Sequence, residues 1–406
     1  MGFLTKPAVQ GYFAPGNTAV GPSGYIDRTR GRVIGFYNFD IDAAFFDFFA
    51  GTNLSTQNLN TLGVFTGLEQ TAVIDSPDGK MWCFNSTGPV LEICRIDPAG
   101  SPAWTFASPP WGSGSVPTGI VTPYSLAWLQ VGNGGWIVSG ELIGGHIDVL
   151  QASPGTIGFW GHHFLGSTTL QVGICAGPQG AMSSKAYWAG AEGVLGSTVI
   201  LSTAALYNPA TWPTPNGGIT SAVIKTYAPT DFDAAWGAIT DFNGPAYDST
   251  DGNVVVQVVG TGGGNPYYIA KLNTTTGAVI WKVPVANNGG FRDGIQFSRI
   301  QNGRFLYYAQ VSTAGGTVYA INTGDGSFTT QATTGLTGFS QQSSDDVLGC
   351  IVGQPSWDAS VGNLLLLNAT PTAGNTFGAV YFIESENEVV QLSAISYTRM
   401  FGVWQQ

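Results

Sequence analysis

Acidic side chains beside glycine are the residues of this sequence that could most readily do chemistry. They occur in "DSTDGN" at 248–253, in "NTGDGS" at 322–327 and as an adjacent pair further along. The candidates are Asp248, Asp251, Asp325, Asp345 and Asp346. Carboxylates can ligate Ca²⁺, but neither segment has the full spaced ligand set of a calcium loop. Asp in turns commonly accepts hydrogen bonds from nearby backbone N–H groups, so we predict turn-stabilising roles and no metal site.

Nucleophilic chemistry finds less support in the residue types present. The chain has three His, and the only adjacent pair is His162–His163 in "GFWGHHFLG". Two consecutive residues of a strand face opposite sides, so this pair could not address one substrate from a strand. A packed or hydrogen-bonded pair in a loop is the alternative. There is no G-x-S-x-G segment, and we predict no catalytic residues.

The four cysteines do not follow the spacings of a metal or redox motif. They are Cys83, Cys94, Cys175 and Cys350, with no C-x-x-C among them. Cys83 and Cys94 could face each other across one hairpin. The other interpretation is that all four are small buried apolar residues, since free Cys packs well in cores.

The overall charge of the chain limits the classes of molecule that it could bind. The formal net charge is −11, and only 10 % of the residues are charged. An acidic chain does not bind nucleic acid through a general basic face, and it is repelled by anionic membrane surfaces. The local exception is Arg28, Arg30 and Arg32 in "DRTRGR". Their period of two puts them on one face of a strand, as a solvated edge or as a docking patch for an acidic neighbour.

Turns with glycine recur along the chain and indicate which elements must hold these side chains. The clearest turn glycines are Gly31, Gly79, Gly134, Gly252, Gly303 and Gly362. Their spacing leaves one double-length gap, and "QGAMSSKAYWAG" with a strand through 186–188 fills it. Seven units of roughly 50 residues, each with three or four short strands, predict an all-β chain: a single closed β-propeller of seven four-stranded blades.

Aromatic residues fall in the repeat strands and are expected to fill the space between blades. The Trp residues predicted for this role are Trp82, Trp104, Trp136, Trp160, Trp188 and Trp281. Apolar runs such as 254–259 and 364–367 are short enough to be strands buried on both faces. No segment has a convincing helical period, and "FDIDAAFFDFF" fits strand spacing equally well.

One repeated segment resembles the repeat of quinoprotein-like (PQQ-type) propellers. "YYIAKLNTTTGAVIWKVPV" carries Asn273, Gly277 and Trp281 at the matching positions, and "EICRIDPAGSPAWTF" repeats the pattern. "VYAINTGDGSFTT" repeats it without the Trp. The resemblance implies a propeller in which this Trp stabilises blade packing. A quinone-dependent enzyme would also need calcium, a catalytic Asp and export, and "MGFLTKPAVQ" begins no signal peptide. We therefore predict no quinone and no other cofactor.

Composition resembles that of structural proteins of tailed-bacteriophage virions, which are rich in Gly and Thr and poor in charge. That resemblance implies a non-enzymatic tail, neck or fibre-associated propeller, assembled in the host cytoplasm. Its partners would be other virion proteins in a symmetric assembly and a host-surface glycan or receptor, without nucleic acid or membrane insertion. The alternatives are an extracytoplasmic quinoprotein-like enzyme and a cellular scaffold or carbohydrate-binding propeller.

The chain ends complete the predicted organisation. We expect an N-terminal arm at 1–20, the propeller at 21–396 and a C-terminal interaction tail at 397–406. Met400, Phe401 and Trp404 make this tail apolar, and exposed apolar patches mark interfaces. The alternative is that the tail folds back into a groove of its own propeller. We also expect the region before Gly31 to supply the fourth strand of the last blade and so to close the ring.

Overall fold

Antiparallel strands make up nearly all of the regular structure. The structure is a computed structural model. It describes residues 123–285, 305–312 and 315–332. Within the first range, residues 133, 142–144, 154–155, 166–171, 203–217 and 263–266 are not described. In the rest of the chain, only the residues of the strands given below are described. Within these residues the only helix is α1, Pro229–Phe232, a single turn. This is the all-β class that the glycine-rich sequence predicts.

The first three sheets are formed by strands that follow one another along the chain. The first contains β1 Ile26–Asp27, β2 Arg32–Tyr37, β3 Asp42–Asp47 and β4 Thr52–Asn58. The second contains β5 Ile74–Asp75, β6 Met81–Ser86, β7 Leu91–Asp97 and β8 Ala103–Ala107. The third contains β9 Pro123–Val131, β10 Gly134–Glu141, β11 His146–Ser153 and β12 Thr156–Phe164.

The fourth and fifth sheets repeat this four-stranded order. The fourth contains β13 Val172–Ala176, β14 Ser183–Gly190, β15 Val194–Leu201 and β16 Ile219–Thr226. The fifth contains β17 Ala238–Asp248, β18 Asn253–Thr261, β19 Tyr267–Leu272 and β20 Val279–Pro284. In both, each strand pairs with the next one in the sequence.

The remaining strands form two further sheets and an addition to the first. The sixth sheet contains β21 Phe305–Ser312, β22 Gly315–Asn322 and β23 Phe328–Ala332. The seventh contains β24 Gly349–Val352, β25 Asn363–Ala369, β26 Phe377–Ser385 and β27 Glu388–Gln391. The last strand, β28 Arg399–Phe401, pairs with β2 of the first sheet.

Neighbouring sheets pack through their first strands. β13 lies beside β9 of the third sheet on one side and beside β17 of the fifth sheet on the other. Consecutive meanders of about four strands, arranged with their first strands side by side, are the blades of a β-propeller. The predicted fold class is therefore confirmed. Closure of the ring and a count of seven blades stay predictions.

Buried aromatic residues fill the space between the third and fourth sheets. Trp136 and Trp188 belong to one apolar cluster that draws on both sheets, and they are 4 % and 1 % exposed. Gly196 lies directly opposite Trp188 in the β14–β15 ladder, and a Cβ there would come within 2.0 Å of the indole. The blade-packing role predicted for these two Trp residues is confirmed. The Trp82, Trp104 and Trp160 side chains lie outside the described residues.

The structure describes two of the six predicted turn glycines: Gly252 is confirmed and Gly134 is corrected, while Gly31, Gly79, Gly303 and Gly362 lie outside the described residues. Gly252 and Gly277 have φ angles of 77° and 69°, which glycine adopts without the steric cost that other residues incur. The hidden unit is present, since β14 contains the predicted strand at 186–188. Gly134 is not a turn residue: it begins β10, and the positive φ of 58° belongs to Gly132. The segment "VGNGG" at 131–135 contains three glycines, so the sequence alone did not indicate which of them adopts the positive φ.

The two chain ends meet in the first sheet. Ile34 lies opposite Phe401 and Gly35 opposite Met400 in the β2–β28 ladder. The expected contribution of the N-terminal region to the last sheet is wrong, because β1 pairs with β2 and the seventh sheet draws its four strands from 349–391. The C-terminal strand extends the first sheet instead.

Candidate functional site

A buried lysine is the centre of a polar network that joins two neighbouring sheets. Lys271 lies in β19, and its side chain is completely buried. Its Nζ donates to Asp248 Oδ2 at 2.7 Å, to Asp251 Oδ2 at 2.6 Å and to the Thr323 carbonyl at 2.6 Å. Three acceptors match the three N–H donors of an ammonium group. We call Asp248, Asp251, Lys271 and Thr323 the Lys271 junction.

The two carboxylates are positioned by the turn between β17 and β18. Asp248 ends β17, and its Oδ1 accepts the Thr250 backbone N–H at 2.9 Å. Asp251 Oδ1 accepts the Asn253 N–H at 3.2 Å. The turn-stabilising role predicted for both Asp residues is thus confirmed, and each uses its second oxygen to bind Lys271.

Thr323 brings the next sheet into the junction. It begins the turn between β22 and β23, and its hydroxyl donates to Asp248 Oδ2 at 2.8 Å. Its carbonyl accepts both the Lys271 Nζ and the Trp281 indole N–H, the latter at 3.1 Å. A buried charge is tolerated only when it is paired and hydrogen-bonded, so the junction fixes the sixth sheet against the fifth.

The same kind of turn docks on the preceding sheet twice. In 273–277 and again in 322–326, the Asn carbonyl accepts the N–H of the Gly four residues later, at 2.8 Å in each case. The Tyr227 hydroxyl donates to the Gly277 carbonyl at 2.7 Å, which joins the fourth sheet to the fifth. Gly326 lies against Trp281, and a Cβ at this position would come within 2.9 Å of the indole. The packing role predicted for Trp281 is confirmed.

Protonation of Asp248 should weaken the junction. Burial alone would raise the pKa of Asp248, but hydrogen bonds from Lys271, Thr250 and Thr323 outweigh it and hold the pKa below its usual value. A carboxyl whose pKa is lower when folded stabilises the fold above the unfolded pKa of about 3.9 and loses this contribution as the pH falls further. The lowered pKa therefore predicts acid destabilisation through this residue.

We expect the difference in Tm between the wild type and Asp248→Asn to be large at pH 7 and to shrink as the pH falls from about 4 toward 2. Thermal melts across this range would measure the difference. Glu192→Gln, an exposed change in the β14–β15 turn, serves as the matched control. A wild-type advantage that stays constant down to pH 2 would contradict the prediction.

A second polar group lies on the surface around α1. The Tyr268 hydroxyl donates to Asp233 Oδ2 at 3.0 Å, and the Ala235 N–H donates to Asp233 Oδ1 at 2.9 Å. These hydrogen bonds keep the pKa of the Asp233 carboxyl below its ordinary value. Lys282 Nζ lies 5.3 Å from the Tyr268 ring centroid, and Trp236 packs on that ring at 5.4 Å. Trp236 is buried beneath this ring, whereas Tyr268, Asp233 and Lys282 are at least partly exposed and could contact a polar ligand such as a sugar.

The remaining predicted residues are distributed over the chain and do not gather at one site. Asp325 Oδ1 accepts the Ser327 N–H at 2.9 Å, as predicted for a turn Asp. His162 and His163 are consecutive residues of β12, so the loop alternative is wrong and the strand placement is right. No group of three or more metal-ligating side chains occurs among the residues that the structure describes. Asp345 and Asp346 lie outside them.

The interaction residues predicted near the chain ends meet in part. Arg32 begins β2, and Met400 and Phe401 pair with that same strand. The pairing matches the alternative in which the tail folds onto its own chain. Arg28, Arg30 and Trp404 lie outside the described residues, and an interaction role for the whole set stays a prediction.

The cysteines are consistent with both interpretations. Cys83 and Cys94 are direct partners in the β6–β7 ladder, as predicted for residues facing across a hairpin. Cys175 is a free, buried thiol, and burial raises its pKa to about 12. A thiol with this pKa stays protonated at neutral pH, which fits a packing role. Cys350 lies in β24.

Sequence reasoning missed Lys271 and Thr323. The signal was a single Lys inside the apolar strand "YYIAKL", a position at which a charge is costly without a partner. Thr323 gave no signal, since its role depends on a carbonyl placed by the next sheet.

Comparison with known proteins supports the fold and gives no family. No protein-family model matches the chain, and no curated protein matches it. A putative 6-phosphogluconolactonase from Bacteroides fragilis is 12 % identical, with 96 % of this chain and 97 % of that one covered, at a TM-score of 0.55. The chain has a β-propeller fold.

Two further propellers are similar to the chain at lower TM-scores. The WD40 repeats of RRP9 are 11 % identical, with 82 % of this chain and 92 % of that one covered, at 0.47. The BP39L lectin from Burkholderia pseudomallei is 14 % identical, with 79 % and 83 % covered, at 0.46. At these identities the likeness concerns the fold alone. Within the described residues, no helix is long and apolar enough to cross a membrane.

Proposed function

We propose that this propeller is a non-enzymatic structural protein of a tailed-bacteriophage virion, acting in assembly or host-surface recognition. The observation that carries the proposal is the character of the edge strands. β16, β20 and β23 are the last strands of three consecutive sheets, and each exposes one large apolar side chain. Val223 is 55 % exposed, Ile280 45 % and Phe328 43 %.

Edge strands are where one protein chain pairs or packs with another. Soluble monomers usually protect such strands with charges, prolines or short length. β16 and β20 carry such residues, Lys225, Lys282 and Pro284, and large apolar side chains are nevertheless exposed on the same strands. Aromatic and aliphatic residues placed at an edge suit contact with neighbouring subunits of an assembly.

The contacts between neighbouring sheets of the chain support the same structural role. The polar groups of the Lys271 junction and of the turn at Gly277 bind neighbouring sheets of this chain, which makes a rigid platform. Rigid platforms bind other proteins at a small entropic cost. In this proposal the sequence-predicted patch at Arg28, Arg30 and Arg32 would contact an acidic neighbour.

The native mass of the purified protein tests the proposal. We expect the wild type to form a defined oligomer, and the Val223→Thr, Ile280→Thr, Phe328→Thr triple variant to be monomeric with an unchanged Tm. Thr is β-branched and keeps the strand propensity at these exposed sites. Antibodies against the protein should also label tail structures of virions in electron micrographs.

A monomeric wild type that leaves virions unlabelled would overturn the proposal. If that monomer binds glycans on an array, and Asp233→Asn removes the binding, the protein is a carbohydrate-binding propeller acting through the surface around α1. Dye reduction with added quinone and Ca²⁺ would instead indicate an enzyme.

A further inference from the structure

The last strand of the fourth sheet presents a regular row of backbone hydrogen-bonding groups at its outer edge. β16 ends this sheet and pairs with β15. The Leu201 N–H donates to the Gly218 carbonyl at 2.9 Å, which makes these two residues a hydrogen-bonded pair of the antiparallel ladder. Hydrogen-bonded and non-hydrogen-bonded pairs alternate along such a ladder. Ile219, Ser221 and Val223 therefore turn their N–H and C=O groups away from β15.

A side-chain contact supports this assignment of the ladder. Ser221 lies opposite Thr198, and their hydroxyl oxygens are 2.7 Å apart. Side chains approach each other most closely in the non-hydrogen-bonded pairs, which is the class assigned to this pair. The register then shifts between Leu195 and Gly196, so the regular outer edge of β16 extends from Ile219 to Val223.

The regular part of this edge is uncharged and partly apolar. The segment "ITSAV" at 219–223 contains no charged residue and no proline, and Val223 is 55 % exposed. Lys225 lies beyond the register shift, and its Nζ binds Asp231 at 3.0 Å. The edge strand β20, by contrast, carries Lys282 and Pro284 within its own exposed residues. An edge without such protection is one to which a further strand can add.

The pattern of outward groups is complementary to itself. If a second copy of β16 lies antiparallel with a two-fold axis at Ser221, the two Ser221 residues face each other. Ile219 of each copy then faces Val223 of the other, and all three pairs are hydrogen-bonded ones. The net charge of −11 makes two copies repel each other, and an uncharged edge is a place where they can meet without adding like charges to the contact.

We propose that two copies of this chain associate through antiparallel pairing of β16, which joins their fourth sheets into one continuous sheet. A two-fold axis makes this an isologous contact, the commonest kind in homo-oligomers. The inference rests on the proposed function, which requires a defined oligomer, and it names the partner as a second copy. It also assigns the contact to β16, with β20 outside it.

Disulfide trapping tests the register of the pairing. In the proposed dimer the Cα atoms of the two Ser221 residues are about 5.5 Å apart, a distance that a disulfide spans. Ser221→Cys is therefore expected to give a covalent dimer on mild oxidation. Ala222→Cys is the matched control, since the two Ala222 residues lie diagonally across the axis at about 7–8 Å. The wild type shows any cross-linking by its own four cysteines.

Native mass measures the contribution of the edge itself. A charge on an edge strand opposes the addition of another strand. We expect Val223→Lys to be monomeric and Ile280→Lys to stay dimeric at the same protein concentration. The two substitutions add the same charge to edge strands at side chains that are 55 % and 45 % exposed, so both variants should keep the Tm of the isolated chain.

A monomeric wild type, a dimer that survives Val223→Lys, or equal cross-linking of Ala222→Cys and Ser221→Cys would each overturn the proposal. If Val223→Lys yields no folded protein, the two Cys variants decide. Antibody labelling of virions separates this inference from the proposed function. A β16 dimer with unlabelled virions supports the pairing and rejects the virion role, whereas labelled virions and an oligomer insensitive to Val223→Lys reject the pairing alone.

Discussion

Substituting Lys271 by Met is expected to lower the free energy of unfolding by about 3–5 kcal/mol, the cost of removing one partner from a buried ion pair. Met keeps the length of the side chain and fills most of the space. What it removes is the positive charge that Asp248 and Asp251 share. The loss arises mainly from the Asp248 carboxylate, which is completely buried and would lose its counterion.

Chemical denaturation of the wild type and Lys271→Met at pH 7 measures this effect. Lys225→Met is the matched control: it also removes an ammonium group from an ion pair, but both partners are 30 % exposed. Exposed pairs contribute about 0–1 kcal/mol, so the control should unfold close to the wild type. Equal losses in the two variants would mean that burial of Lys271 has no energetic consequence.

A compensating variant separates charge from packing. Adding Asp248→Asn and Asp251→Asn to Lys271→Met removes the two uncompensated charges. Replacing a buried ionic group as a whole is often neutral, whereas breaking it is costly. We therefore expect the triple variant to regain part of the stability that Lys271→Met loses. No recovery would indicate that the loss comes from the packing of the lysine stem.

Local features of the fold could be read from the sequence because they depend on neighbouring residues. The turn at 273–277 needs a side-chain acceptor at its first residue and a positive φ at its last, and Asn273 and Gly277 supply them. The apolar run at 254–259 predicted a strand buried on both faces, and β18 is one. The packing of Trp188 between sheets was predicted because this residue falls in one of the repeat strands, which is also a local feature of the sequence.

Contacts between residues far apart in the sequence could not be predicted from local patterns in this way. Lys271 binds residues 20, 23 and 52 positions away, and a propeller is needed before these positions come together. A Lys in a strand is ordinarily a surface residue, so its burial could not be inferred without knowing its partners. The turn at Gly132 was misplaced by two residues for a different reason, since "VGNGG" offers three glycines with the same freedom.

The C-terminal segment shows why composition alone cannot decide between an interface and a strand of the chain's own fold. Met400 and Phe401 make an apolar cluster that predicts an interface, yet their backbone pairs with Gly35 and Ile34 of β2. The sequence pattern is the same for an intramolecular and an intermolecular strand.

Removal of residues 398–406 is expected to lower Tm by several degrees, because it takes β28 away from β2. The first sheet then loses the strand that links the two ends of the chain, and the hydrogen-bonding groups of β2 at 34–36 lose their partners. Buried backbone groups without partners destabilise a fold, and the freed β2 edge also becomes available for aggregation.

Removal of residues 402–406 alone is the matched control for this deletion. It shortens the chain at the same end but leaves β28 in place, so its Tm should equal that of the wild type. Differential scanning calorimetry of the three proteins, with their native masses, distinguishes the two interpretations of the tail. If the longer deletion leaves Tm unchanged but abolishes oligomer formation, residues 397–406 are an interface, and the β2–β28 pairing makes no contribution to stability. If both deletions lower Tm equally, the stabilising contacts come from 402–406. A loss confined to the longer deletion assigns the stability to β28, and it follows that the terminal strand of this propeller serves its own fold before it serves any partner.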